Sequence, residues 1–133
     1  RTVSEFFDAV SLWKAPLQNV VVADSQGNIG LVSPGRFPMR DEEGRWIGEI
    51  PTPIRTDNPA AGFLATANNL QTPADFPYPM PGSHDAYRVA RIAEVLSAEP
   101  AHNADRAAAL QFDRVSVLAR RLREAIAAGT PQT

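Results

Sequence analysis

The chain has 133 residues, a net charge of -2 and a pI of about 5.6, which lacks the basic footprint that a nucleic-acid partner requires. With 44% hydrophobic and 21% charged residues it has the composition of an ordinary globular chain, sized for one domain or a piece of one. It contains no cysteine, which excludes disulfides, thiolate catalysis and zinc-ribbon sites, and no apolar run nears the ~20 residues of a membrane-spanning helix.

No signal peptide is visible, and the chain opens on Arg1 rather than Met, an expectation of processing, proteolysis or a chosen boundary. Ser4 is a candidate cap for a first helix reaching about Trp13, with Phe6, Val10 and Trp13 on one face and Pro16 as the stop. Asn19-Val20-Val21-Val22-Ala23-Asp24, the turn residues Ser25-Gln26-Gly27-Asn28, and Ile29-Gly30-Leu31-Val32 then spell a β-hairpin. Asp24 fits an Asx turn that holds it.

Residues 33–61 hold Pro34, Pro38, Pro51, Pro53 and Pro59 and read as an ordered loop, with Trp46 and Ile47 anchored against the core. The apolar run at 62–67 reads as a strand that ends in the adjacent amides of Asn68 and Asn69. A proline-rich connection from Pro73 to Gly82 follows, with Phe76, Tyr78 and Met80 inside it. Ser83 or Asp85 caps a helix to about Ala98, with Val89, Ile92 and Leu96 on one face and Pro100 at its end. Asn103 caps a longer helical stretch that buries Val115, Leu118, Leu122 and Ile126 and closes at Gly129 and Pro131. Antiparallel strands with packed helices make an α+β reading.

A carboxamide at the end of a rigid element donates a hydrogen bond in a fixed direction, as the oxyanion of an amide-cleaving reaction requires. The competing reading of Asn68 is that Asn suits strand ends because it tolerates left-handed backbone. Arg88 sits in a helix first turn, where the positive end of the helix dipole disfavours a cation, so it needs a partner or a function. His84 and His102 stand beside helix starts and read as surface or capping groups, without the spacing of a zinc site. Asp41-Glu42-Glu43 reads as solvated loop, Arg114, Arg120, Arg121 and Arg123 as the polar face of the last helix, and Met39 and Met80 as gap-filling core. The residues alone yield an α+β domain with a candidate amide donor and no complete catalytic set.

The order of the motifs adds more. Gln18-Asn19-Val20-Val21-Val22-Ala23-Asp24-Ser25-Gln26-Gly27-Asn28-Ile29-Gly30 resembles the hairpin of the penicillin amidase family, as Gly35-Arg36-Phe37-Pro38-Met39-Arg40 and Trp46-Ile47-Gly48-Glu49-Ile50-Pro51 resemble its two following loops. Asn58-Pro59-Ala60-Ala61-Gly62-Phe63-Leu64-Ala65-Thr66-Ala67-Asn68-Asn69 is similar to its N-P-x-x-G…T-A-N-N segment, and Arg88-Val89-Ala90-Arg91-Ile92 and Leu110-Gln111-Phe112-Asp113-Arg114-Val115-Ser116 match its helical motifs. Each match alone is weak; together and in order they span nearly the whole chain.

The resemblance implies an N-terminal-nucleophile hydrolase with a four-layer αββα fold, of which residues 1–133 form a central segment of the large subunit. It implies a zymogen that cleaves itself to expose a serine upstream of Arg1; Ser4 and Ser11 do not fit that role. It assigns Asn68 as the side-chain donor of the oxyanion hole and Arg88 as the arginine that orients this Asn and the nucleophile's amine. The implied partners are the remaining segments of the enzyme and a small amide, of the penicillin, cephalosporin or acyl-homoserine lactone type, in a periplasmic or secreted setting and in antibiotic-related metabolism. Residues 76–81 are candidates to touch the acyl group. Several members hold a structural calcium, but here the loop after Arg40 is short and the segment after Asn69 offers Asp75 alone, so no cofactor or metal is assigned. The alternative is a non-catalytic structural or binding module of the same fold. A chain without its nucleophile is expected to be inactive alone, and to self-associate where missing layers leave apolar faces open.

Overall fold

The computed structural model describes residues 1–50, 54–76, 78, 80, 85–98 and 101–129. Pro51, Pro53, Gly82, Ser83, His84, Pro100 and Pro131, all invoked above, lie outside the described residues. The chain divides into two compact units, Arg1–Ser83 and His84–Thr133. The described residues are α+β, with antiparallel sheets and four helices.

The first unit opens with α1 (Val3–Val10). Its cap is Thr2 rather than Ser4: Glu5 N–H donates to Thr2 Oγ1 at 3.2 Å, and Thr2 N–H donates to Glu5 Oε2 at 2.7 Å. This reciprocal pair satisfies two donors at the helix start, which Ser4 two positions further on is not placed to do. The buried face is that of Val3 and Phe7, four residues apart, with Phe6 and Val10 packed beside them. Trp13 falls beyond the helix, where its Nε1–H donates to Pro16 O.

The hairpin forms as the sequence spells it, β1 (Val20–Ala23) against β2 (Ile29–Ser33), with Val20 opposite Val32 and Val22 opposite Gly30. The Asp24 carboxylate organises the turn. Its Oδ1 accepts from the backbone N–H groups of Gln26 and Asn28, both at 2.9 Å, and its Oδ2 accepts from Asn28 Nδ2 at 2.9 Å. Oδ2 also accepts from Val3 N–H at 3.3 Å, which ties the start of α1 to the same turn. These hydrogen bonds, those from Asn28 foremost, hold the Asp24 carboxyl below the ordinary carboxylate range.

At Gly30 α1 comes close to the sheet. A β-carbon there would lie 2.6 Å from both Phe7 Cζ and Val3 Cγ1, so a side chain of any size collides with the helix. Side chains alternate along β2, which turns Gly30 and Val32 toward α1 and Leu31 and Ser33 to the other face. Leu31 is 2% exposed and Ser33 6%, so that second face is covered as well.

Residues 33–61 depart from the expected loop. β3 (Pro38–Arg40) pairs with β4 (Trp46–Glu49) as a second antiparallel ribbon, and β5 (Ile54–Asp57) joins the far edge of β2, giving the sheet order β1-β2-β5. Pro38 begins β3, a position where no ladder hydrogen bond is lost. Asp41 closes the β3–β4 turn by accepting from Arg45 N–H and Arg45 Nε, each at 2.8 Å, so the acidic run is built into a turn with Glu43 also paired to Arg45. Trp46 and Ile47 do not anchor a core. They are exposed on this ribbon, and the Arg36 guanidinium lies 5.5 Å from the Trp46 ring centroid while pairing with Glu49.

The second unit contains α2 (Tyr87–Ala98), α3 (Ala104–Gln111) and α4 (Val117–Ala127). Asn103 caps α3 by accepting from Arg106 N–H at 3.0 Å. The helical stretch expected from there to Gly129 is two helices, because Ser116 begins a new one: its Oγ accepts from Ala119 N–H at 3.1 Å, and Asp113 accepts from Val115 N–H just before it.

α4 packs on α2 through the side that carries Val117 and Arg120. Val115 and the stripe Leu118, Leu122, Ile126, all expected to be buried, are turned outward, the stripe at 50%, 45% and 63% exposure. Periodicity identified an amphipathic helix correctly but could not say which neighbour covers its apolar side. The 133-residue chain on its own is expected to self-associate through this stripe, measured by sedimentation, and Leu118→Glu with Leu122→Glu to return it to monomer. A wild-type chain that stays monomeric at all concentrations would show the stripe to be covered within the chain.

The hairpin supplies a second test. The native Asp24 carboxyl titrates below its unfolded value, so its stabilisation is present above the ordinary carboxylate pKa of ~4 and is lost as pH falls through the lower native value. Thermal melts of wild type and Asp24→Asn should therefore differ most near neutral pH and converge below about pH 4.

Candidate functional site

The segment that carries Asn68 leaves the sheet at Asn58. Asn58 N–H donates to Ile29 O, Ile29 N–H donates to Asn58 Oδ1, both at 2.9 Å, and Asn58 Nδ2 donates to Asn28 Oδ1 at 3.1 Å. Asn58 thus extends the β2–β5 ladder by a side chain and docks on the same turn that Asp24 organises. A turn follows, with Gly62 N–H donating to Pro59 O.

Residues 62–67 were expected to be a strand, and they are not: no ladder pairs them among the described residues. An apolar run becomes a strand only where a neighbouring main chain takes its hydrogen bonds. Phe63, Leu64, Ala65, Thr66 and Ala67 are nevertheless half-buried. The segment meets the sheet through a side chain: Asn19 Nδ2 donates to Thr66 Oγ1 at 2.8 Å, and Asn19 Oδ1 accepts from Ser33 Oγ at 2.5 Å. Sequence reasoning named Asn19 only as part of a motif. The signal available was a polar residue at each outer end of the hairpin's apolar runs, which strand register sets opposite one another.

The two adjacent amides have separate duties. Asn69 Oδ1 accepts from Ala67 N–H at 3.1 Å and from Gln71 Nε2 at 3.2 Å, while its Nδ2 donates to Leu70 O at 3.1 Å. Asn69 therefore builds the turn. Asn68 is the exposed one of the pair, and its backbone is left-handed, with φ 62°. Asn is among the residues that adopt this conformation at least cost. Held backbone of this kind recurs at sites where a side chain must be presented in one direction.

Arg88 belongs to the second unit. It is exposed in the first turn of α2, a turn without an acidic residue, and Asp85 just before it accepts from Tyr87 N–H at 3.3 Å. In the same unit two further arginines share an ion-pair set: Arg91 pairs with Asp113 at 2.7 Å and Glu94 at 3.1 Å, and Arg120 pairs with Glu94 at 2.8 Å. The bonds from Arg120 and Arg91 hold the Glu94 and Asp113 carboxyls low. All four side chains are partly exposed, so each pair adds little stability alone. Arg121 lies 5.8 Å from the Tyr87 ring centroid. His102 is exposed, and its Nε2 contacts Leu96 O at 3.0 Å, in the last turn of α2 rather than at the start of α3, which Asn103 caps.

The remaining candidates are accounted for in the same way. Ser4 is exposed on α1 and Ser11 caps its C-terminal end, with Oγ donating to Asp8 O. Phe76 and Tyr78 meet edge to face, 5.6 Å between centroids, and Met39 and Met80 are half-buried. Asp75 is exposed, and among the described residues no cluster of three His, Cys, Asp or Glu side chains could hold a metal ion.

An exposed carboxamide on left-handed backbone presents a hydrogen-bond donor of the kind amide chemistry uses, and comparison with known proteins gives the chain a family. The penicillin amidase family model matches residues 1–133, and the chain belongs to that family. Over 130 residues it is 35% identical to a penicillin acylase 2 proenzyme of a Pseudomonas species (strain SE83), covering 86% of this chain. Over 140 residues it is 27% identical to the acyl-homoserine lactone acylase QuiP of Pseudomonas aeruginosa, covering 92% of this chain. The chain spans 17% and 16% of the length of these relatives.

The turn at Asn69 can be tested independently of catalysis. Asn69→Ala removes an acceptor from two donors and should lower stability by about 1 kcal/mol, seen as a fall in Tm, with Asn69→Asp losing less because it keeps the acceptor.

Proposed function

We propose that this chain is a central segment of the large subunit of a penicillin amidase-type amidohydrolase that removes an acyl group from an amine by cleaving a linear amide bond. The observation that carries the reading is the family match along residues 1–133, which includes a segment ending in an exposed carboxamide on left-handed backbone, Asn68. Both relatives are named as acylases, one for penicillin and one for acyl-homoserine lactones, and the substrate class follows as acylated amines of that kind. One relative is named a proenzyme, which supports maturation from a precursor; in this reading the cleavage is the enzyme's own.

In this reading the nucleophile is an N-terminal serine outside residues 1–133. Its α-amine, titrating near pH ~8, lies beside the hydroxyl it must deprotonate. Attack on the amide carbonyl moves negative charge onto the carbonyl oxygen. Asn68 Nδ2–H donates to that oxyanion, and the charge it stabilises is absent from the ground state. Arg88 orients Asn68 and the nucleophile's amine. The amine leaves after proton return, and water releases the acyl group from the serine.

The surrounding enzyme supplies the other layers of a four-layer αββα stack and most of the acyl pocket, for which Phe76, Tyr78 and Met80 are this chain's described candidates. No cofactor enters the chemistry. The same reading places the protein in the periplasm or outside the cell and makes the isolated 133-residue chain inactive, since it lacks both nucleophile and base.

The test is Asn68→Ala in the complete enzyme. kcat on a chromogenic acyl anilide should fall by roughly 10²–10³, about 3–4 kcal/mol of transition-state stabilisation, with a much smaller change in KM. A folded Asn68→Ala enzyme with undiminished kcat removes the donor assignment. Turnover by the purified 133-residue chain would place the nucleophile inside it and overturn the reading.

A further inference from the structure

The Asn68 segment is attached to the sheet by a side-chain bridge whose design exceeds what packing alone needs. Val20 pairs with Val32, so residue 19 lies opposite residue 33 at the open end of the hairpin. The next pair on the same face is apolar, Val21 opposite Leu31. An apolar pair at 19 and 33 would therefore cover this face equally well. Instead a half-buried amide and a 6%-exposed hydroxyl stand there. Burying such groups is tolerated only because both are bonded, and among the described residues no buried side-chain nitrogen or oxygen lacks a partner.

The bonding is directional. Ser33 Oγ–H donates to Asn19 Oδ1 at 2.5 Å, which fixes the plane of the amide and leaves Nδ2–H to donate to Thr66 Oγ1 at 2.8 Å. Thr66 lies two residues before Asn68, at most ~7 Å of chain away. Between them Ala67 N–H is held by Asn69 Oδ1 at 3.1 Å, so the stretch from Thr66 to Asn69 is a short, stiff piece. With no ladder on residues 62–67 among the described residues, the orientation of that piece depends on such side-chain ties.

We propose that Asn19, set by Ser33 and acting through Thr66, is a positioning residue that aims the Asn68 carboxamide at the oxyanion. The inference rests on the assignment of Asn68 as the oxyanion donor. A donor of this kind must be held to a fraction of an ångström, and loss of such support is felt in the transition state more than in substrate binding.

The experiment is a mutant cycle in the complete enzyme, with kcat, KM and Tm measured for each variant. Thr66→Val keeps the shape of the side chain and removes the acceptor; it should lower kcat roughly tenfold with KM within about twofold of wild type. Thr66→Ser restores the hydroxyl and should recover most of the loss. The deciding comparison is Thr66→Val placed on Asn68→Ala, where it should lower kcat no further, since the group it aims is gone.

If the losses multiply in that double variant, or if folded Thr66→Val and Asn19→Ala keep wild-type kcat, the positioning role is wrong while the Asn68 assignment stands. If Asn68→Ala itself leaves kcat unchanged, the donor assignment fails and takes this inference with it. Should Thr66→Val not fold, the same cycle is read on Asn19. There Asn19→Asp, which still accepts from Ser33 and from a rotated Thr66 hydroxyl, should retain more kcat than Asn19→Ala, and equal loss in the two overturns the proposal.

Discussion

One carboxylate sets the geometry of the first unit. Asp24 gathers the N–H groups of Gln26 and Asn28 into a hairpin turn, fixes the Asn28 side chain, and accepts from Val3 N–H. Asn28 Oδ1 in turn accepts from Asn58, the residue from which the Asn68 segment departs. Helix start, hairpin turn and the root of the candidate site therefore share one anion. A neutral residue at position 24 would leave several backbone donors competing for water within a part-buried corner. The apolar packing of Phe7 and Val3 on Val32 has no directionality of its own, and the hydrogen bonds decide where it is applied.

The second unit is organised differently. α2 and α4 are joined by the Glu94–Arg120 pair, and α2 is joined by Arg91 to Asp113 in the link before α4. These contacts are partly solvated, so they orient the helices more than they stabilise them. The apolar stripe of α4 and the exposed Phe112 are what a solvated helix pair would not retain for its own sake. The chain spans about a sixth of the length of its relatives, and in the proposed reading the other segments of the enzyme would cover such faces.

The parts of this fold that could be read from sequence are those whose cause is local. The hairpin was legible because Val20, Val21 and Val22 favour strand and Asp24 to Asn28 carry turn chemistry, all within a few residues. The cap at Asn103 was legible for the same reason. β5 was not, since Ile54-Arg55-Thr56-Asp57 offers one buried side chain and becomes a strand only because the edge of β2 lies open beside it. The run at 62–67 erred in the opposite sense: it has strand composition without a partner strand among the described residues. Asn68 was singled out by its motif, while Asn19 and Ser33 became a pair only once the register of the hairpin was known. Side chains that work across strands are invisible to a reading that proceeds along the chain.

Gly30 carries an evolutionary consequence. With Phe7 and Val3 atoms 2.6 Å from the place of its missing β-carbon, positions 30, 7 and 3 are a single volume divided among three residues. Alanine at 30 is admissible only where both helix side chains give way, since relieving either one leaves the other in collision. Drift in this part of the family should therefore proceed by coupled exchange: sequences with a larger residue at the position of Gly30 should have smaller ones at the positions of Val3 and Phe7, and intermediates with the change at 30 alone should be rare.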